Sequence, residues 1–276
     1  MARGGFKAGS VPPPSRLAAE PRLLHSLPAV TKPQTRILAS ASDAVPLLLD
    51  ELRRAVARGP RPLISFATGG TFSAMLQALA RELAGAGLGG EFVATHLDEY
   101  VGFGPERAGG MVHELVSHCP PLADMLAAGS FVPVPHVEDQ AALDAHAATL
   151  AQHGGVELQL LGIGRNGHIA FNEPGTPLDS GFHATDLAEA TRRDALARFA
   201  PNEPPRRAIT SGVGTILAAR RLVLCAFGAA KADAVRAMLH GDIGPACPAS
   251  AIRQHNDVLV LLDEAAANGL TDELGA

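Results

Sequence analysis

The stretch that most constrains this chain is LGIGRNGHIAFNEPGTPL, residues 161–178. An apolar run from Leu158 to Ile163 leads into it and ends in glycines. So short an apolar run, bounded by turn residues, reads as a strand buried on both faces of a sheet. His168 and Glu173 follow, five residues apart, in a loop closed by Pro174 and Gly175. Ligands of open α/β sheets bind outside the carboxyl ends of the strands, and chemical groups favour loops on a rigid scaffold. A histidine and a carboxylate leaving a buried strand are therefore a candidate acid–base pair.

The same stretch matches the dinucleotide fingerprint G-x-G-x-x-G at Gly162, Gly164 and Gly167. That fingerprint needs a helix opening at its third glycine, because the pyrophosphate rests on the helix N-terminus. Here Pro174 and Gly175 would end such a helix after about two turns. No acidic residue closes a second strand at the required distance; Asp186 has the spacing but falls in a helix-like segment. An NAD-dependent oxidoreductase is thus the weaker alternative, and no cofactor is expected.

Elsewhere the pattern alternates. Helical periodicity over 43–58 puts Val45, Leu48, Leu49, Leu52 and Val56 on one face. Strands are expected at 62–67, 91–97, 157–163, 221–227 and 257–262, with a short extended piece at 131–134. Between them lie helix-like segments at 73–83, 106–117, 138–152, 185–199, 212–219 and 229–239. Strands alternating with helices imply an α/β fold, a mostly parallel sheet with helices on both faces. One domain over residues 36–276 is expected. Residues 1–35 differ: five Lys/Arg, one Glu and six prolines give net +4, which leaves −9 for the remainder. They read as a flexible basic arm, without the apolar core of a signal peptide.

A chain of 276 residues that is 47% hydrophobic can bury a full core. Its net charge of −5 argues against a nucleic-acid or membrane-surface role, and no apolar run approaches a membrane span. The three cysteines, Cys119, Cys225 and Cys247, lack metal-ligand spacing. No metal site is expected, and a reducing cytoplasm fits. A homo-oligomer is compatible with the chain.

Three strand exits carry polar or glycine-rich residues. Thr68-Gly69-Gly70-Thr71 is either a tight turn or a cradle of helix-terminal N–H groups for an oxyanion such as phosphate. No lysine follows the second glycine, so it is not a Walker loop. Asp98-Glu99-Tyr100 is either a helix cap or solvated turn, or it supplies a general base at the ligand edge. The third exit is the His168 loop. All three would converge on one edge of one sheet.

With ATGGT (67–71), LDEYVG (97–102), GIGRNGHIAFNEPG (162–175), AITSGVGTIL (208–217) and GAAKADAVRAML (228–239), the chain resembles the glucosamine-6-phosphate deaminases (isomerases). Weaker likeness runs from PASAIRQH (248–255) to LLDEAA (261–266), so about residues 36–268 are covered. The resemblance implies a Rossmann-like α/β sandwich, no redox cofactor and a small-molecule sugar phosphate as partner. It implies conversion of an amino-sugar 6-phosphate and water to fructose 6-phosphate and ammonium. His168 would assist ring opening, and Asp98 would carry the C2 proton to C1. Glu173 would hold and polarise His168, which Asn166 would orient by hydrogen bonding without adding charge. Gly69, Gly70 and Thr71 would cradle the phosphate, with Lys231 and Arg198 supplying positive charge.

The chain also departs from that pattern. Between Thr191 and Arg198 it is one residue longer than the glucosamine-specific form. Ser180-Gly181 replaces a Ser-Arg pair, and Gly110-Met111 replaces Ser-Tyr. These features are similar to relatives acting on galactosamine 6-phosphate, so the epimer is open between the two. A non-catalytic sugar-phosphate sensor of the same fold is the other alternative. It would be expected to lack the acid–base set, which this chain keeps, and to carry a DNA-binding helix pair, for which the arm is too rich in proline.

Overall fold

The computed structural model describes residues 30–86 and 92–270. Most of the basic arm, residues 1–29, thus lies outside the described residues. In chain order the elements are β1 (Gln34–Leu38), α1 (Ala44–Val56), β2 (Leu63–Phe66), α2 (Gly70–Ala86), β3 (Val93–His96) and β4 (Asp98–Tyr100). Next come α3 (Met111–His118), α4 (Pro121–Ala127), β5 (Phe131–Val132), α5 (Gln140–Gln152), β6 (Val156–Gly162) and β7 (His183–Asp186). The chain continues through α6 (Glu189–Phe199), β8 (Arg207–Thr210), α7 (Val213–Leu217), β9 (Arg221–Ala226), α8 (Ala232–His240) and β10 (Val258–Asp263).

Seven strands form one sheet in the order β1-β10-β9-β6-β2-β3-β5, every pair parallel. The buried strand expected before the His168 loop is β6, at the centre of this sheet. From β2 the chain moves outward to β3 and β5, then returns at β6 on the other side of β2 and continues to β9 and β10. The direction of winding therefore reverses between β2 and β6, and the crevice beyond their carboxyl ends is where such sheets bind ligands. This topology brings the Thr68–Thr71 turn beside the loop that leaves β6. Phe66, Phe72, Phe92, Leu76 and Leu161 are fully buried in the main core.

A smaller antiparallel sheet, β4-β8-β7, has no counterpart in the sequence pattern. Only Leu97 separates β3 from β4, and its carbonyl accepts a hydrogen bond from Ser211 N–H at 2.7 Å. Asp98-Glu99-Tyr100 is thus a buried strand rather than a turn. Residues 185 and 186, expected to begin a helix, belong instead to β7, so Asp186 ends a strand and α6 starts only at Glu189. Likewise α3 starts at Met111, five residues after its expected beginning. The arm boundary also shifts: β1 begins at Gln34, and Thr31 N–H already donates to Arg253 O at 2.7 Å. No helix opens at Gly167, which removes the structural basis of the dinucleotide fingerprint.

Arg221 opens β9 and lies between Glu51 of α1 and Asp257, in close contact with both. Glu51 is only 3% exposed, and its other ionic partner is the solvent-facing Arg54. Arg221→Met would leave buried Glu51 with the solvent-facing Arg54 as its ionic partner, at a cost of up to about 3 kcal/mol. Urea unfolding should show this as a lowered midpoint at constant slope. A midpoint equal to the wild type would mean that the pair is neutral.

Candidate active site

A cavity of about 280 Å³ opens at the switch between β2 and β6. Gly69, Gly70, Thr71, Asp98, His168, Arg198 and Lys231 all line it. Three strand exits, the turn before α8 and helix α6 therefore meet at one place.

The glycine turn leaves β2 and becomes α2 at Gly70. Gly69 adopts φ +93°, a conformation that glycine takes without strain. As the first residues of a 17-residue helix, Gly70 and Thr71 present amides that have no carbonyl partner within it. Lys231 reaches the same crevice, its Nζ donating to Ile163 O at 2.7 Å. Burial lowers the Lys231 pKa and Arg165 lowers it further, while Asp194 opposes both.

At the other end stands Asp98, 8% exposed. Burial pushes its pKa up to about 8; Glu99 and Glu114 add to the rise, and Arg198 opposes it. Glu99 faces differently. Its carboxylate accepts N–H bonds from Tyr100, Met111 and Val112 at 2.8, 2.9 and 3.0 Å, so it caps α3 from a distance. Burial raises Glu99 to about 7 against the lowering effect of these three bonds. The capping alternative for this strand exit thus belongs to Glu99, and the ligand-facing one to Asp98.

The loop after β6 carries a connected set. His168 Nδ1 lies 3.5 Å from Glu173 Oε2, and Asn166 Nδ2 donates to that same oxygen at 2.8 Å. Asn166 Oδ1 in turn accepts His168 N–H at 3.3 Å. Thr191 of α6 donates to Glu173 Oε1 at 2.5 Å. Burial alone would raise Glu173; the His168, Thr191 and Asn166 contacts overcome it and hold the carboxyl down at about 2. The whole loop is pinned by buried Asn172, whose Nδ2 donates to Ile169 O and Ser211 O at 2.9 and 2.8 Å. Among the described residues, no cluster of His, Cys, Asp and Glu could hold a metal ion.

Against this geometry, the family described as glucosamine-6-phosphate isomerases/6-phosphogluconolactonase matches residues 38–261. The chain belongs to that family. A glucosamine-6-phosphate deaminase of Bacillus velezensis is 41% identical over 218 residues, 78% of this chain and 90% of that protein. One from Shewanella loihica is 39% identical over 230 residues, 82% and 84% of the two chains. A monomeric glucosamine-6-phosphate deaminase of known structure superposes with a TM-score of 0.77 at 30% identity, covering 85% of this chain and 98% of its own. A 6-phosphogluconolactonase from Leishmania guyanensis, at 16% identity and TM-score 0.68, shares the fold.

Within the family frame, seven of the nine residues singled out from sequence line the cavity, and the other two, Asn166 and Glu173, stand behind His168. Arg198 reaches the cavity despite the extra residue in its segment. Arg192 instead faces Glu203, and Arg193 lines a neighbouring hollow with Arg165 and Asn166. Sequence reasoning missed Thr191 and Glu114. Both act through partners distant in the chain, so no local spacing could have revealed them.

Gly164 shows how closely the site is packed. A Cβ placed there would come within 2.2–2.4 Å of the His168 ring, so the ring would have to move. Gly164→Ala should therefore fold but lose its turnover by at least about 10²-fold, the scale of one acid–base group. Thermal melting and steady-state assay of one preparation check this. Full activity in a folded Gly164→Ala protein would show that the ring position is not needed.

Proposed function

We propose that this chain is an amino-sugar-6-phosphate deaminase/isomerase, converting glucosamine 6-phosphate or its galactosamine epimer and water to a ketose 6-phosphate and ammonium. The observation that carries the reading is one cavity holding a buried carboxyl, Asp98, whose burial Arg198 only partly offsets, an imidazole backed by the Glu173 carboxylate, and a glycine turn with Lys231 and Arg198 beside it. The identities of 39–41% to glucosamine-6-phosphate deaminases support it. The three buried, unpaired cysteines support a cytoplasmic setting, and no described helix is long and apolar enough to cross a membrane.

In this reading the Gly69, Gly70 and Thr71 turn, Lys231 and Arg198 hold the 6-phosphate, because charge-assisted bonds to an oxyanion are the strong ones. His168, fixed by Glu173 and Asn166, moves the proton that opens the pyranose ring to the aldehyde. Asp98 then takes the C2 proton, giving an enolamine, and returns it to C1. The resulting C2 iminium adds water and releases ammonium, so one water is consumed for each amine lost. A carboxyl whose pKa lies near neutrality suits a group that must both accept and return one proton.

Purified protein should release ammonium from one of these epimers without added metal or nicotinamide. Because Asp98 must be ionised to act, kcat/KM should climb as pH rises through about 8. Asp98→Asn should cut kcat by about 10²–10⁴-fold. The same raised pKa fixes a stability sign: Asp98 stabilises most below its ordinary 3.8, and that contribution is lost as pH passes about 8. The Asn variant should therefore melt higher than wild type above pH 8. Wild-type deuterium exchange between solvent and the product's C1 in this variant would exclude Asp98 as the base.

Lys231→Ala tests the phosphate end separately. Loss of one charge-assisted bond, roughly 1.5–3 kcal/mol, should lower kcat/KM by about 10- to 100-fold at ~1.4 kcal/mol per decade. The loss should sit in KM, since phosphate is bound alike before and during reaction. An unchanged preference for phosphorylated over unphosphorylated amino sugar would remove Lys231 from the phosphate site.

A further inference from the structure

Two of the donors that belong to the phosphate cradle are held by a carboxylate of the protein itself. Gly69 N–H donates to Glu114 Oε1 at 2.8 Å. Glu114 Oε2 lies in close contact with Nη2 of Arg198. The Glu114 side chain is only 12% exposed, and that of Arg198 27%. Helix α3, on which Glu114 stands, has no need of it as a cap. The first two amides, of Met111 and Val112, are already bonded to Glu99. Glu114 is instead turned off its own helix, toward the β2 exit on one side and α6 on the other.

A carboxylate that accepts one backbone N–H and lies in ionic contact with one guanidinium stands where a phosphate monoester makes its contacts at a helix start. Both anions cannot hold the same donors, because like charges at about 4 Å repel by several kcal/mol near a protein surface. We propose that Glu114 is the resident anion of this cradle and that the 6-phosphate displaces it, so that Glu114 sets how tightly phosphate binds. The proposal rests on the phosphate reading of the glycine turn given above. The simpler role for Glu114, aiming Arg198 at the phosphate, predicts the opposite sign, since loss of the carboxylate would then weaken binding.

The sign is read by calorimetric titration of inorganic phosphate into wild type, Glu114→Gln and Glu114→Ala at pH 8 and low ionic strength. Displacement predicts phosphate affinity about tenfold higher in both variants, equivalent to ~1.4 kcal/mol. KM for the amino-sugar 6-phosphate should fall by a similar factor relative to KM for the unphosphorylated amino sugar. Glu114→Asp keeps the charge but shortens the reach, and should fall between. Unchanged or weaker phosphate binding in Glu114→Gln, or no phosphate binding by any of the proteins, overturns the proposal. Phosphate titration needs no turnover, so the two readings fail separately. Tighter phosphate binding without ammonium release would sink deamination and keep Glu114 as the displaced anion. Normal ammonium release with unaltered phosphate affinity would do the reverse.

Discussion

Where β3 gives way to β4, a strand leaves a parallel sheet and joins an antiparallel one across the single residue Leu97. That hand-over buries two adjacent carboxyls, and strand geometry sends consecutive side chains to opposite faces. Glu99 is directed to the start of α3, where three backbone N–H groups meet it. Asp98 is directed to the cavity, where the charge of Arg198 only partly offsets its burial. Another buried carboxyl, Glu173, collects partners from His168, Asn166 and Thr191 and falls to about 2. Asp98 and Glu173 thus stand at one site with pKa values pushed in opposite directions by their surroundings.

Helix α6 depends on this site as much as the site depends on it. Phe199 is its one buried residue, set in a cluster of rings with Tyr100 and Phe103 at 5.2 and 5.5 Å between centroids. Ala195 packs against the same cluster, and polar contacts join Thr191 to Glu173, Asp194 to Arg165 and Arg198 to Glu114. Each of these polar contacts joins the helix to the loop after β6 or to α3. An amphipathic stripe, the usual reason for a helix to take its place, is missing. The position of α6 is set by aromatic anchoring at one end and by the site's own charges along its length.

The parallel sheet was legible because its inner strands are continuous apolar runs, such as LISF in β2 and VLVLL in β10. The second sheet was not. Its strands DEY, HATD and RAIT are three or four residues long and mix charge with apolar residues. Only their mutual pairing makes them strands: β4 meets β8 from more than a hundred residues away, and β7 meets β8 across the whole of α6, so neither leaves a local pattern. β1 was hidden likewise, since QTRIL comes after a proline-rich segment and is mostly exposed. In the site, residues on strand exits could be found by position. Glu114 could not, because the first turn of a helix is where an acidic residue is ordinarily explained by the helix dipole.

The glycines that match a dinucleotide fingerprint have a different physical reason here. At Gly164 the space a Cβ would fill belongs to the His168 ring. Gly164 N–H also bonds to His168 O at 2.9 Å, closing the turn that carries the imidazole. Gly167 adopts φ +85°, and a Cβ there would approach Cys247 Sγ to 2.7 Å. Both glycines therefore let a histidine fold back over the end of β6, and neither opens a helix for a pyrophosphate. One spacing of glycines serves two unrelated ends, because it specifies only close backbone approach after a strand. The residues beyond the third glycine decide between those ends, and here Asn172 pins them as a loop that sets His168 beside Glu173.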